Sequence, residues 1–167
     1  MEFLVEHYPN GHVKTIQSFD DAGRLHNPVG PAFQEWYDNG QENIREYRIH
    51  GTHHCEDGPS FEVWDEEGQR RVRIYKNHGK FHSTYRAAIQ RWHANGQVAE
   101  KVYQVNGELH RTRGPAVQEW DEEGESIRES YFVEDEQLTK EEFQQRGHSL
   151  TPGWDVPENI FGDADTE

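Results

Sequence analysis

Gly30-Pro-Ala-Phe-Gln-Glu-Trp-Tyr-Asp-Asn-Gly-Gln-Glu-Asn-Ile-Arg-Glu-Tyr-Arg-Ile-His-Gly51 reads as two strands joined by a tight turn. Pro31 to Tyr37 alternates with period two and runs into Asp38-Asn39-Gly40, where Asn-Gly offers the positive φ angles of a hairpin turn. Glu42 to Ile49 returns, and Gly51 marks a second turn at the opposite end. Within the first strand Ala32, Gln34 and Trp36 share one face, and Phe33, Glu35 and Tyr37 share the other. Each face is half apolar, which predicts a single-layer, twisted sheet wetted on both surfaces.

The same block recurs with a period of 28 residues. Trp36, Trp64, Trp92 and Trp120 form one ladder, and Gly40, Gly68, Gly96 and Gly124 a second. Gly23, Gly51, Gly79 and Gly107 form a third, and His26, His54, His82 and His110 a fourth. A fifth reads Phe19, Tyr47, Tyr75, Tyr103 and Tyr131. After the second turn the chain leads, in every unit but the third, to a Gly-Pro such as Gly58-Pro59, where proline at a strand start removes no needed donor. Two Gly-containing breaks and a Pro per unit exclude a helix pair.

The expected fold is therefore all-β, an extended antiparallel meander of 28-residue β-hairpin repeats over residues 1–138, about ten strands in all. An incomplete first unit surrounds Tyr8-Pro9-Asn10-Gly11, one residue out of register, and Arg86-Ala87 replaces Gly-Pro in the third unit. Asp135 stands where a turn glycine is expected, marking the end of the array. Thr139-Lys140-Glu141-Glu142 is a capping-box arrangement, predicting a capping helix over 139–147 that stops at Gly147 and covers the last strand. Residues 148–167 read as an acidic tail, disordered after Phe161.

Composition agrees with a thin fold, because 32% hydrophobic residues against 29% charged cannot fill a thick interior, while 12% aromatics argue against disorder. The net charge of −15 disfavours direct binding to nucleic acid or anionic membrane and favours a basic protein partner. Residues 148–167 carry five acidic and no basic side chains, so −5 of that charge lies in the tail. A single cysteine, no signal-like N-terminus and no long apolar run point to a soluble protein of a reducing cytoplasm.

Leu109-His110-Arg111-Thr112-Arg113-Gly114-Pro115-Ala116, followed by Trp120 and a glycine turn, resembles the MORN-variant repeats of the YwqK-like antitoxin family and related phage and giant-virus proteins. The resemblance covers residues 1 to about 146, including the Leu138 to Phe143 segment that looks like the element closing such arrays. It implies a meander of hairpins, no known catalytic activity and a role in binding another protein; no cofactor is expected.

Eleven histidines, and the run His50-Gly-Thr-His53-His54-Cys55, raise a zinc-enzyme reading with His50, His53 and Cys55 as ligands. Against it, His54 belongs to the ladder, and equivalent positions two strands apart lie about 10 Å from one another, too far to share an ion. The ladder histidines are instead expected to hydrogen-bond within the Gly-Pro edge turns. Stacking of bases on the tryptophans needs a basic groove that is absent, so these are read as packing residues. No Gly-x-Ser-x-Gly element, phosphate-cradling loop or His-Glu-x-x-His helix is present.

Asp38, Asp65-Glu66-Glu67 and Asp121-Glu122-Glu123 all occupy the hairpin tip that follows a ladder tryptophan. They are expected to line one edge of the sheet at intervals of about 10 Å, interrupted at Ala94. As a solvated turn this is unremarkable chemistry; as a ridge it is a negative surface for a basic, nucleic-acid-binding protein. The expected function is a non-catalytic, antitoxin-like inhibitor, such as a phage counter-defence or anti-CRISPR factor that mimics DNA inside a bacterial host. The competing expectation is a structural scaffold that spaces other modules.

Overall fold

The computed structural model describes residues 1–151. In chain order the strands are β1 (Glu2–His7), β2 (Val13–Phe19), β3 (Phe33–Trp36), β4 (Glu42–Glu46), β5 (Arg48–Ile49), β6 (Thr52–His53), β7 (Phe61–Trp64), β8 (Arg70–Ile74) and β9 (Lys76–Asn77). There follow β10 (Lys80–Phe81), β11 (Ile89–Trp92), β12 (Val98–Val102), β13 (Gln104–Val105), β14 (Glu108–Leu109), β15 (Val117–Trp120), β16 (Ser126–Val133), β17 (Glu136–Leu138) and the helix α1 (Lys140–Gln145). Eleven strands form one antiparallel sheet in the order β1-β2-β3-β4-β7-β8-β11-β12-β15-β16-β17, an open meander as the repeat predicts. The short pairs β5-β6, β9-β10 and β13-β14 are hairpins along one edge.

The two edges use different turns. At the tryptophan end Gly40 has φ 89° and donates to Tyr37 O at 3.0 Å, while Tyr37 N–H bonds Gln41 O at 2.8 Å. Asn39 is absent from the positive-φ residues, so the turn is a three-residue loop closed by a left-handed glycine rather than the Asn-Gly pair expected from sequence. The asparagine works through its side chain, Oδ1 accepting from Gln41 N–H at 2.8 Å. Two-residue turns with both angles positive occur at the other edge, at His50-Gly51, His78-Gly79 and Asn106-Gly107. There the chain must reverse between strands of only two residues.

The first edge turn explains the register fault. Asp20 N–H bonds Arg24 O, and Gly23 N–H bonds Asp20 O, both at 2.9 Å, so Asp21-Ala22-Gly23 is a three-residue loop where later units have two. Ser18 N–H bonds Ala32 O just as Tyr47, Tyr75 and Tyr103 bond Ser60, Ala88 and Ala116. Ser18, not Phe19, therefore holds the tyrosine position of the first unit.

Each tip hairpin carries a bulge beside its tryptophan, the pairing shifting at Glu35/Trp36, Val63/Trp64, Arg91/Trp92 and Glu119/Trp120. On one face Tyr47, Tyr75 and Tyr103 stand beside the small residues Ser60, Ala88 and Ala116, which with Ala32 are at most 1% exposed and leave little room for a larger side chain. Along the same face runs a polar row, in which Arg73 meets the buried Glu62 at 3.1 Å. Arg45 and Arg70 lie over the Trp64 ring at 5.3 and 5.7 Å. The opposite face carries the apolar cluster of Ile89, Val102 and Val117, flanked by Phe81 and Leu109 of the edge hairpins. Most strand positions are only half-buried, as expected for a single layer.

The edge hairpins are tied to one another from unit to unit. Gly51, Gly79, Gly107 and Asp135 each donate N–H to the residue before the preceding ladder histidine, namely Leu25, His53, Phe81 and Leu109, at 2.7 to 2.9 Å. The residues before those donors, His50, His78, Asn106 and Glu134, donate N–H to Nδ1 of His26, His54, His82 and His110 at 3.1 to 3.3 Å. The ladder histidines thus bracket the next repeat instead of the Gly-Pro turn, because the I′-type turn directs an otherwise unpaired N–H at them.

At the far end Thr139 and Glu142 form the expected capping box. Phe143 is fully buried against Tyr131 and Leu138, closing the last strand. Gly114 N–H bonds Ser149 O at 2.7 Å, so the chain beyond the helix first returns to the last edge loop. The tail from residue 152 onward, including the expected disorder after Phe161, lies outside the described residues.

Candidate protein-binding edge

The in-register hairpins bring all the sequence-predicted tip acids to one edge. They divide into two kinds. Asp38, Glu66, Glu67, Glu122 and Glu123 are exposed. Asp65 and Asp121 are half-buried turn acceptors: Asp65 Oδ1 takes Gln69 N–H at 2.7 Å, and Asp121 Oδ1 takes the N–H groups of Glu123 and Glu125 at 3.1 and 2.8 Å. Asp65 is also ion-paired with Arg71. Partial burial pushes its carboxyl up, but the Gln69 N–H and the Arg71 guanidinium outweigh that and hold it below the usual carboxylate range. Among the tip acids, solvent-exposed charge therefore rests on Asp38, Glu66, Glu67, Glu122 and Glu123, with Ala94 leaving the third tip neutral.

The tips are clamped to each other. Tyr8 and Tyr37 hydroxyls donate to the carbonyls of Trp36 and Trp64 at 2.8 and 3.2 Å, and His93 Nε2 donates to Trp120 O at 2.8 Å. Asn10, Asn39 and Asn95 donate Nδ2 to the carbonyls of Asp38, Glu66 and Glu122 at 3.2, 3.0 and 2.6 Å. Arg71 makes the equivalent reach to His93 and Ala94 carbonyls where Asp65 replaces the tyrosine. Backbone carbonyls of each tip are thus taken up by side chains of the preceding tip, while Asp38, Glu66, Glu67, Glu122 and Glu123 stay exposed. The Tyr37 hydroxyl registers the resulting field, its pKa raised by burial and then by Glu66, Asp65, Glu35 and Glu67. These bridging donors are the part of the edge that tip chemistry alone did not reveal; Tyr and Asn at matching turn positions were the available signal.

The zinc candidates are not brought together. His50 Nδ1 meets Asp20 Oδ2 at 2.7 Å and its ring stacks on His26 at 4.2 Å between centroids. His53 is edge-on to Phe61, its pKa lowered by burial and by Arg48. Cys55 donates its backbone N–H to Lys76 O at 3.2 Å, and burial pushes its thiol up, away from the thiolate a metal needs. All three occupy repeat positions of their own, and among the described residues no group of three His, Cys, Asp or Glu is placed to hold an ion.

Among the described residues no helix is long and apolar enough to cross a membrane. Scans against protein-family models, curated proteins and solved structures find no match to this chain. Fold and edge together define a β-hairpin repeat protein of one open sheet with an acidic, inter-repeat-braced rim.

Proposed function

We propose that the chain is a non-catalytic, antitoxin-like inhibitor that binds a basic, nucleic-acid-binding protein in a bacterial cytoplasm and occupies its phosphate channel with the acidic rim. The MORN-variant resemblance and the overall charge of −15 support this reading. One observation supports it: side-chain-to-carbonyl bonds from tip to tip brace the backbones of Asp38, Glu66 and Glu122, so that the turns carrying the exposed Asp38, Glu66, Glu67, Glu122 and Glu123 are set along one edge. A row set before binding loses little freedom on docking. A phage counter-defence role, of the anti-CRISPR kind, is the setting in which such DNA mimicry acts.

The test is competition. A protein captured on the immobilised chain at low salt is expected to be released by duplex DNA and by salt, as an interface of opposed charges requires. A captured partner that ignores both would favour the scaffold reading, which the evenly repeated neighbour-to-neighbour bonding of the array also accommodates.

A further inference from the structure

The two ends of the sheet are finished differently. β17 has three residues and is covered by α1, with Phe143 buried and Arg146 paired to Glu136 at 2.6 Å. β1 has six residues, all exposed, and nothing among the described residues lies beyond it. Met1, Phe3, Leu4 and Val5 are four of the seven exposed large hydrophobic side chains among the described residues. An uncovered strand of this length is what folded proteins ordinarily shorten or cover.

The pairing fixes what that edge presents. Ser18 N–H points to β3, so Gln17 and its partner Leu4 bond each other, and Phe3 and Val5 turn their N–H and C=O groups outward. Val5 lies opposite Ile16, on the tryptophan face. Val13, Ile16 and Trp36 line an open pocket of about 480 Å³ there. The pocket exists because Ile16 occupies the place of Arg45, whose guanidinium covers the next tryptophan. On the opposite face Glu2 and Glu6 flank Leu4.

We propose that β1 is a strand-addition site for an extended segment of a partner protein that is apolar on one face and basic on the other. The apolar face continues the patch of Phe3, Val5 and Ile16, and the basic residues oppose Glu2 and Glu6. Charge selects this occupant over a second copy. An antiparallel self-pairing centred on Leu4 sets Glu2 against Glu6 of the other molecule, and both molecules carry −15. The site is separate from the acidic rim and does not depend on it.

The probe is a fluorescein-labelled ten-residue peptide of alternating Val and Lys, followed by anisotropy at about 0.15 M salt. The full chain is expected to bind it, and Val5→Pro to weaken binding about tenfold with an unchanged melting curve, since the lost N–H faces outward. Glu2→Gln with Glu6→Gln should weaken it severalfold. Val5→Lys, which keeps the backbone N–H and repels the probe, serves if the proline variant fails to fold. Gln at Glu66, Glu67, Glu122 and Glu123 should leave binding intact. Equal binding by Val5→Pro or Val5→Lys, loss only in the rim variant, or no binding by the parent chain would overturn the site. A concentration-dependent dimer abolished by Val5→Pro would assign the edge to a second copy and overturn the heterologous partner.

Discussion

His54 Nδ1 accepts the backbone N–H of His78 at 3.3 Å while the two rings stack 4.3 Å apart, so one ladder side chain holds the turn of the following repeat in two ways. A neutral ring protonated on Nε2 is needed for that acceptor role. His54→Ala leaves the turn N–H to water and removes the stack, a loss of about 1–2 kcal/mol. Urea unfolding of this variant beside His7→Ala, on the exposed first strand, measures it; equal midpoints would show that water replaces the bracket.

Glycine substitutions separate backbone conformation from crowding. Gly11 has φ 89° and open space around an added Cβ, so Gly11→Ala costs only the left-handed conformation, about 1 kcal/mol. Gly79 has φ 80°, and its Cβ would meet Thr52 Cγ2 at 3.0 Å in the neighbouring hairpin. Thr52 is branched and cannot easily turn aside. Gly79→Ala is expected to lower the melting temperature distinctly more than Gly11→Ala.

Tryptophans of the ladder are half-buried rather than enclosed, so their removal costs less than a core aromatic's 3–5 kcal/mol. Trp64 lies beneath two guanidinium groups, whereas Trp36 borders the open pocket. Trp64→Ala should therefore destabilise by about 2–3 kcal/mol and Trp36→Ala by less. A larger loss at Trp36 in chemical denaturation would contradict this order.

Acid should destabilise the array in two stages. Burial, then Arg48, holds His53 below the ordinary imidazole value, so its folded pKa is below its unfolded one. Its contribution is complete above about pH 6.5 and is lost as pH falls, the unfolded chain taking the proton first. Asp20 (held down by His50 and Arg24), Glu136 (by Arg146) and Glu142 (by Thr139) act in the carboxylate range. Their stabilisation is present above about pH 4 and lost below it. Urea midpoints from pH 8 to 3 should fall in both windows, and His53→Gln should flatten the first alone.

The hairpin meander was legible because tryptophan, glycine and histidine recur where the backbone makes identical demands. The one-residue offset of the first unit was legible at Tyr8-Pro9-Asn10-Gly11, but its origin was not, since Phe19 imitates a ladder aromatic while the added residue sits in the Asp21-Ala22-Gly23 loop. The histidine brackets were hidden for another reason. Their donors are backbone N–H groups, carried equally by His50, His78, Asn106 and Glu134, so no side-chain pattern marks them. Tip acids were located correctly on one edge, but sequence could not divide solvent-facing Glu66 and Glu67 from Asp65, whose carboxylate closes its own turn.

That division dictates how the rim should be tested. Replacing Asp65 or Asp121 would break turns, so the informative variant converts Asp38 to Asn and Glu66, Glu67, Glu122 and Glu123 to Gln. Surface changes of this kind cost under about 0.5 kcal/mol each, and the fold should persist. Association with the DNA-competed partner should slow, and its salt dependence flatten, as when steering charges are removed. The control is deletion of residues 152–167, which removes five acidic side chains and no basic ones. It must not begin at 148, because Ser149 O accepts Gly114 N–H at 2.7 Å and belongs to the folded array. If the rim variant inhibits fully while the deletion fails, the tail carries recognition. If neither matters, the acidic rim is solvated surface and DNA mimicry is excluded.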